Sequence, residues 1–318
     1  MIVKRRIPLR WTLFYTWPSL VYFTVLAVAV FAARRILGDD LRLSIPFEPV
    51  AVIGTALGVF LAFQNNNAYD RWWEARKIWG LLVNLSRAWA RQVLTLTHTR
   101  AAPENLQMLQ RRMIYRHLAF VNALRVRLRG GNSIASVNQR ELVEVENNIE
   151  DALRFLPDAE AEATRRASNP PNMLLQRQAE DLRRARDEDW LSEWGLMHLD
   201  QTLTELNHVQ GRCERIKNTA FPRFYTYFQQ VIVHIHGSLL PFAFATHFDW
   251  AVIPLTLTVN FVFLALNMIG TRTGDPFENR LDDTPMSSLC RTIEINLREQ
   301  LGEVDLPKPL VAEDGVLF

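Results

Sequence analysis

The chain has 318 residues, of which 48% are hydrophobic and 22% are charged, and its formal net charge is +2 at pH 7. Such a small charge, with no concentrated basic run outside the N-terminus, argues against nucleic acid as a partner. The mean hydropathy of -0.05 is that of an ordinary soluble protein, but this average hides a strong segregation of residue types along the chain.

Uncharged stretches are the first sign of that segregation, and each has about the roughly 20 residues that an α-helix needs to cross a bilayer. They cover residues 11–33, 49–69, 224–248 and 250–271. Because lipid offers the backbone no hydrogen-bond partner, stretches of this length are expected to be helical. The sequence therefore predicts four spans, at about residues 15–37, 47–69, 224–246 and 250–270.

Two alternatives apply to these stretches. Lys4, Arg5 and Arg6 precede the first one, as in a secretory signal peptide, but the apolar run exceeds a signal core of roughly 7–15 residues and has no small-residue cleavage site. The second alternative interprets the stretches as buried helices of a soluble protein. Their number argues against this, because even buried helices usually leave one face in water.

Basic residues near the predicted spans give the orientation. Lys and Arg precede the first span and follow the second, whereas only Asp249 separates the third from the fourth. By the positive-inside rule both termini and the middle of the chain are cytoplasmic. Arg34, Arg35 and Arg42 lie on the opposite side of the membrane in this topology and conflict with the rule.

The charged middle of the chain is predicted to be helical. Apolar residues recur at spacings of three and four over residues 104–129, and Gly130-Gly131-Asn132 predicts the helix end. A second pattern covers residues 141–155. A third runs from about Asn172 or Glu188 toward Ile216, with an apolar side made of Trp190, Trp194, Met197, Leu203 and Leu206. No strand-like alternation is found.

These patterns divide the chain into four parts. An N-terminal membrane part is followed by a cytosolic helical region, a C-terminal membrane part, and a cytosolic segment that becomes an extended tail after Arg298. The predicted boundaries are 1–70, 71–220, 221–273 and 274–318.

The second predicted span contains two patterns that concern packing. Gly54 and Gly58 form a GxxxG motif, which lets helix backbones approach one another in lipid. Thr55, Val59 and Phe63 recur every four residues and so share one stripe of the helix. Periodicity alone leaves open whether this stripe packs against a neighbour or lines a pore.

The residues that follow this span are its unusual feature. The chain continues as "QNNNAYDRWWEARKIWG", with no proline or glycine before Gly80. The part "NNNAYDRWWEARKIWG" resembles the signature of the bestrophin family, in its bacterial branch. Two further blocks resemble the family's segments before the third span and after the fourth: "GRCERIKNTAFPRFYTY" at 211–227 and "GDPFENRLDDTPMSSLCRTIEINLRE" at 274–299.

This resemblance covers nearly the whole chain to about Glu299 and implies an all-α membrane protein. Its four transmembrane helices would continue into a cytosolic helical domain, and five copies would form a bestrophin-like channel with one axial pore in the inner (plasma) membrane. The implied partners are other copies of the chain, membrane lipids and permeating monovalent ions. No cofactor is implied, and no HExxH, Walker A or GxSxG motif suggests an enzyme.

The signature itself is interpreted as scaffold at the membrane boundary, where the second helix leaves the bilayer without a break. Charged side chains there can reach water or one another at modest cost. The residues concerned are Asn66, Tyr69, Asp70, Arg71, Trp72, Trp73 and Glu74.

Matching the signature residue by residue places Thr55, Val59 and Phe63 at the family's hydrophobic neck. Five copies would form stacked uncharged rings, which gate by excluding water. Animal members carry bulkier and more aromatic residues there, whereas this chain retains an aromatic side chain only at the cytoplasmic end. Aromatic ring edges can favour anions, so the ion preference stays open between chloride or other anions and cations.

The resemblance also implies a second, cytosolic constriction just before the third span. Thr219 is the best match, because Pro222 aligns with a proline of the family. Phe221 is the bulkier alternative and Ile216 is the third candidate.

The segment after the fourth span corresponds to the calcium-sensing clasp of animal bestrophins. Here it contains Asp275, Pro276, Phe277, Asp282 and Asp283. Calcium takes several oxygen ligands, but in this chain Arg280 and Leu281 interrupt the acidic run, and a cation at a ligand position opposes calcium. We therefore expect no metal site, and an ion-paired junction between subunits instead.

Two functional hypotheses follow from different classes of protein. The first is a passive ion channel. The second is a membrane scaffold or receptor with a closed pore, which recruits partners through its cytosolic helices. Ion flux from purified protein in liposomes distinguishes them, because only a channel conducts when the neck is widened.

Overall fold

The computed structural model describes residues 1, 9–37, 44–99, 102–130, 148–219, 223–245, 247–312 and 315–317. Within these ranges the regular elements are α-helices, which confirms the predicted all-helical fold class. The bounds are α1 Leu9–Leu37, α2 Phe47–Leu96, α3 Pro103–Arg129, α4 Glu150–Leu153, α5 Asp158–Arg166, α6 Pro170–Asp187, α7 Glu193–Asn218, α8 Arg223–Phe244, α9 Val252–Thr273 and α10 Met286–Gln300.

The chain divides into two compact units. The apolar unit comprises Lys4–Trp72 and Ala220–Asp275, and the polar unit comprises Met1–Val3, Trp73–Thr219 and Pro276–Phe318. Helix α2 belongs to both, since it continues without a break through Trp72 and Trp73. Each unit is described by itself.

In the apolar unit, α1, α8 and α9 pack against one another, and the first half of α2 joins them through buried Leu57 and Leu61. The helices approach closely at Gly237. A Cβ atom there would lie 2.0 Å from Asn260 Oδ1 and 2.7 Å from two ring carbons of Phe23. This position therefore needs a residue without a side chain.

Among the described residues, three helices are long and apolar enough to cross a membrane: Thr12–Ile36, Phe47–Leu96 and Val252–Thr273. Helix α8, at the third predicted span, is not one of them, because polar residues recur along it. They are Gln229, Gln230, His234, His236 and Ser238. The fourfold span count thus stays a prediction.

In the polar unit, one core joins the second half of α2 to α3, α6, α7 and α10. Helix α3 confirms the helix predicted for residues 104–129: it ends at Arg129, and Gly130 is its C-cap. Arg116 is buried within this unit and forms an ion pair with Asp181, with 2.6 Å between its Nη1 atom and the carboxylate. Asp181 also pairs with Arg112 at 2.8 Å, and Arg116 also pairs with Glu160, so the buried charges compensate one another in a network.

The helix predicted from about Asn172 or Glu188 toward Ile216 is two helices in the structure. The prediction of one helix that begins at Asn172 is therefore wrong. Helix α6 ends at Asp187, and Asp189 adopts a positive φ of 57°. Ser192 then caps α7 by accepting a hydrogen bond of 3.1 Å from the Gly195 backbone N–H. These turn and cap signals lay inside an otherwise continuous helical pattern.

The predicted apolar side of α7 is wrong for two residues. Trp194 is 75% exposed and Met197 is 64% exposed, whereas Leu203 and Leu206 are buried. The buried stripe continues N-terminally through Leu199. Met197 lies two positions from Leu199 and therefore points to another side of the helix. Of the other predicted helix, residues 141–147 lie outside the described chain, and the remainder contains the short helix α4.

Candidate pore-lining site

The three predicted neck residues lie on one face of the first half of α2. In the protomer Val59 is 53% exposed and Phe63 is 61% exposed, and Thr55 is exposed as well. Four-residue spacing keeps the side chains on one surface. This surface is apolar and is not used for packing within the chain.

Thr55 contributes less polarity to this face than its residue type suggests. Its hydroxyl donates a hydrogen bond of 2.9 Å to the Ala51 carbonyl oxygen, one turn earlier in α2. Because this bond occupies the hydroxyl proton, Thr55 offers the surface a methyl group and an acceptor oxygen. The stripe therefore carries neither a formal charge nor a free donor at this position.

The orientation of the stripe follows from the opposite face of α2. Val50, Leu57 and Leu61 are each at most 2% exposed. Gly54 is also on the packed side, since a Cβ atom there would lie 2.7 Å from Nε2 of His236 in α8. Of the two glycines of the GxxxG motif, Gly54 therefore makes a close contact, whereas a Cβ atom at Gly58 would have no neighbouring atom within 4 Å. His236, the partner of Gly54, was not identified from the sequence, because the motif names only the small residues.

The signature residues of the apolar unit connect α2 to the end of α9. The Arg71 Nε atom donates a hydrogen bond of 2.9 Å to the Gly274 carbonyl oxygen, and the rings of Tyr69 and Trp72 stack with centroids 6.1 Å apart. The amide oxygen of Asn65 lies 2.4 Å from where a Cβ atom of Gly270 would be. Asn65, in the asparagine run, therefore packs closely against Gly270 of α9.

The remaining signature residues are more exposed. Asn66 and Asp70 lie on the surface, and Trp73 is 44% exposed. In the polar unit Glu74 forms an ion pair of 2.6 Å with Arg215 of α7. Among the described residues, no contact joins any of these four side chains to Thr55, Val59 or Phe63.

The candidates for the cytosolic constriction differ in accessibility. Thr219 is exposed at the C-terminal cap of α7, where its N–H donates to the Arg215 carbonyl oxygen. Ile216 is 4% exposed and packs in the core of the polar unit. Phe221 lies outside the described residues. Of the two described candidates, Thr219 is therefore the one whose side chain faces solvent in the protomer.

The clasp-like segment closes as a loop on itself. The Thr284 N–H donates to the Pro276 carbonyl oxygen at 3.1 Å, and Phe277 is buried in the core. Glu278 forms an ion pair of 2.7 Å with Lys217, and both side chains are largely buried. The segment is thus held by its own turn and by α7.

Asp283 differs from the other acidic residues of this segment. It is 3% exposed, and its Oδ2 atom accepts a hydrogen bond of 3.1 Å from the Arg280 N–H. Burial raises the pKa of its carboxyl group to about 7, so a large share of it is protonated near neutral pH. Asp275 and Asp282 are half-buried. Over the described residues, no three His, Cys, Asp or Glu side chains are grouped closely enough to hold a metal ion.

Comparison with known proteins gives one family. The model described as "Bacterial/Fungal Bestrophin protein" matches residues 13–299. The "Voltage-dependent anion channel-forming protein mll4386" of Mesorhizobium japonicum is 33% identical over 299 residues, which are 93% of this chain and 88% of that protein. The "Voltage-dependent anion channel-forming protein YneE" of Escherichia coli K12 is 28% identical over 273 residues, 86% of this chain and 83% of its own length.

Solved structures that superpose on this chain come from the same family. The crystal structure of a bacterial bestrophin homologue from Klebsiella pneumoniae superposes with a TM-score of 0.78 and 26% sequence identity. The match covers 90% of this chain and 98% of that one. A second crystal structure, of that homologue with a substitution, gives 0.77 over 89% of this chain.

Proposed function

The chain belongs to the bacterial and fungal bestrophin family, and on this premise we propose that it is a subunit of a homopentameric channel that conducts small monovalent ions passively. The observation that supports this most directly is the uncharged face of α2. Thr55, Val59 and Phe63 are turned away from the chain's own core, and an apolar surface left open in a protomer calls for another environment.

In the proposed assembly this face lines the axis. Five copies of each residue make three stacked rings, of which the Val59 and Phe63 rings are purely apolar. A narrow ring without charge blocks ions because an ion must give up part of its hydration shell to pass. Widening the ring lowers that barrier, and bulkier side chains raise it.

We propose anions as the permeant class. The named relatives, at 33% and 28% identity, carry anion channel formation in their names. The ring edges of Phe63 add a weak preference for anions as well.

The proposed topology has four membrane spans, with both termini and the polar unit in the cytoplasm. Exposed Thr219 is the proposed second constriction, and the signature and the clasp-like segment are proposed to be structural.

The decisive experiment measures ion flux from purified protein in liposomes. Wild-type protein is expected to conduct, and Val59→Ala together with Phe63→Ala is expected to increase flux several-fold, because both rings become wider. Val25→Ala and Phe14→Ala are the matched controls. They replace the same residue types on α1 at comparable exposure, 64% and 56%, and should leave flux unchanged.

The same preparation tests the ion preference. Under bi-ionic conditions the reversal potential is expected to follow the chloride gradient. A potential that follows sodium or potassium instead would contradict the anion assignment while leaving the channel intact. Absence of flux even from the double variant would replace the channel by the scaffold hypothesis.

A further inference from the structure

Two arginines at the end of α3 converge on the first turn of α10, within the polar unit. The Nη1 atom of Arg129 donates a hydrogen bond of 2.8 Å to the Ser287 hydroxyl, and Nη1 of Arg125 lies 3.4 Å from the same oxygen. One serine thus accepts from two guanidinium groups. Its own proton remains available for a further acceptor.

Both guanidinium groups retain a buried donor. The Nε atoms of Arg125 and Arg129 have no hydrogen-bond partner in the described part of the chain, and neither atom is open to solvent. The Arg125 side chain is only 5% exposed. Buried donors of this kind are rare in folded proteins unless a water or a ligand completes them.

The helix that they approach offers further donors. Helix α10 has 15 residues, its N-cap is Pro285, and it shows neither a side-chain cap nor an acidic residue in its first turn. The Met286 N–H already donates to the Thr284 carbonyl oxygen at 2.8 Å, so the donors on offer are the N–H groups of Ser287 and Ser288. The first backbone N–H groups of a helix lack intrahelical partners, and the helix dipole places partial positive charge at this end. Two arginines beside a helix N-terminus without a side-chain cap therefore give the start of α10 an excess of positive potential.

The neighbouring acidic groups compensate only part of this charge. Asp151 pairs with Nη2 of Arg125 at 2.5 Å but is 41% exposed. Burial raises the pKa of Asp283 to about 7, and burial raises the pKa of the adjacent Cys290 thiol to about 11, so that thiol is neutral. Desolvation also lowers the pKa of Arg129, to about 10, as expected for a cation with too few partners.

We propose that Arg125, Arg129, the Ser287 hydroxyl and the N–H groups of Ser287 and Ser288 form a binding site for a small oxyanion of the phosphate class. Guanidinium groups present their N–H donors in a planar fork that matches oxyanion geometry, and helix N-termini bind phosphate through free N–H groups. A monatomic anion satisfies fewer of these donors at once. The bound oxyanion would tie the end of α3 to the start of α10.

The site is independent of ion conduction and is tested on the purified full chain. Sodium phosphate is titrated against sodium gluconate at constant ionic strength, with binding measured by calorimetry and the thermal midpoint recorded in parallel. Wild-type protein is expected to bind phosphate and to gain thermal stability with its concentration. Arg129→Gln is expected to weaken binding about tenfold or more, because it removes a charge-assisted donor.

Matched variants separate the site from general charge effects. Arg127→Gln removes an arginine of the same helix that pairs instead with Glu214, and Ser288→Ala removes the hydroxyl next to Ser287. Both should bind phosphate as wild type does. Ser287→Ala is expected to weaken binding several-fold, and it decides the matter if Arg129→Gln does not fold.

Three results would overturn the proposal. Wild-type protein that shows no phosphate binding would exclude the site. Equal binding by wild type, Arg129→Gln and Ser287→Ala would place the anion elsewhere. Sodium chloride that stabilises the protein as well as phosphate does, at the same concentrations, would exclude an oxyanion-selective site.

Discussion

The two halves of α2 use similar apolar residues in opposite ways. In the half that belongs to the apolar unit, Val52, Val59 and Phe63 are between 53% and 69% exposed. In the half that belongs to the polar unit, Trp79 and Trp89 are fully buried. The helix is continuous and its backbone is the same, so the difference lies in what the chain itself places around each half.

This contrast shows where the chain is complete by itself and where it is not. The polar unit covers its part of α2 with α3, α7 and α10, so apolar residues such as Trp79, Leu82 and Trp89 find partners within the chain. The apolar unit covers one face only, through residues such as Leu57 and Leu61. The uncovered face requires lipid, another subunit or a pore, which is the physical basis of the proposed function.

The largest expected effect is the loss of stability when a core side chain of the polar unit is shortened. Leu82→Ala is expected to lower the free energy of unfolding by about 2–5 kcal/mol, since Leu82 is 0% exposed and the change leaves a cavity. Val59→Ala removes a half-exposed side chain from the other half of α2 and is expected to change it by ~0.5 kcal/mol or less. Chemical unfolding of the purified variants measures both. Similar losses for the two would contradict the contrast.

A smaller effect is expected from two hydroxyl groups with the same local bond. Ser86 and Thr55 each donate to the carbonyl oxygen four residues earlier in α2, but the buried Ser86 hydroxyl also lies 2.8 Å from Nε2 of His117. Ser86→Ala is expected to cost about 1–3 kcal/mol, because a buried ring nitrogen loses its partner. Thr55→Val is expected to leave stability nearly unchanged.

The pH dependence sharpens this second test. Burial lowers the pKa of His117 to about 3, from an ordinary value of 6.5. Between these values the unfolded chain binds more protons than the folded one, so this group makes stability fall as the pH decreases from about 6.5 toward 3. Unfolding curves of wild type and His117→Phe over this pH range measure the contribution of His117 to the free energy of unfolding. Identical pH slopes would show that His117 makes no such contribution.

The smallest effect is expected at the start of the second half of α2. Glu74 and Arg215 form an ion pair of 2.6 Å, but their side chains are 40% and 63% exposed. Glu74→Gln should therefore cost ~0.5 kcal/mol or less, and less still at high salt. A loss of several kcal/mol would mean that this signature residue has a partner beyond the protomer, which repeating the measurement on dissociated protein would reveal.

Sequence reasoning succeeded where the signal was local and strong. The period of α3 and the glycine at its end were sufficient to place that helix, because its apolar stripe faces one core. It failed at α7, where Trp194 and Met197 matched an apolar pattern but lie on the exposed side. A pattern gives the spacing of apolar residues but not which of two neighbouring stripes is covered, since that depends on distant segments.

For the candidate site the division is similar. The four-residue stripe from Thr55 to Phe63 was visible in the sequence, and its role as a neck came from the family resemblance and stays a proposal. The family resemblance already ranked Thr219 before Ile216 as a constriction candidate, but that Ile216 is buried and Thr219 exposed needed the core of the polar unit. The contact of His236 with Gly54 likewise needed α8 to be packed on α2.

By itself the sequence determined the all-helical class, the apolar and polar stretches and the family, because these follow from composition, period and motifs read along the chain. Only the tertiary structure decided which face of α2 stays open and that Arg125 and Arg129 meet the start of α10, more than 150 residues away in the chain at Ser287. The reason is physical: hydropathy and helix period are local properties, whereas burial and the pairing of charges depend on segments that meet only when the chain has folded.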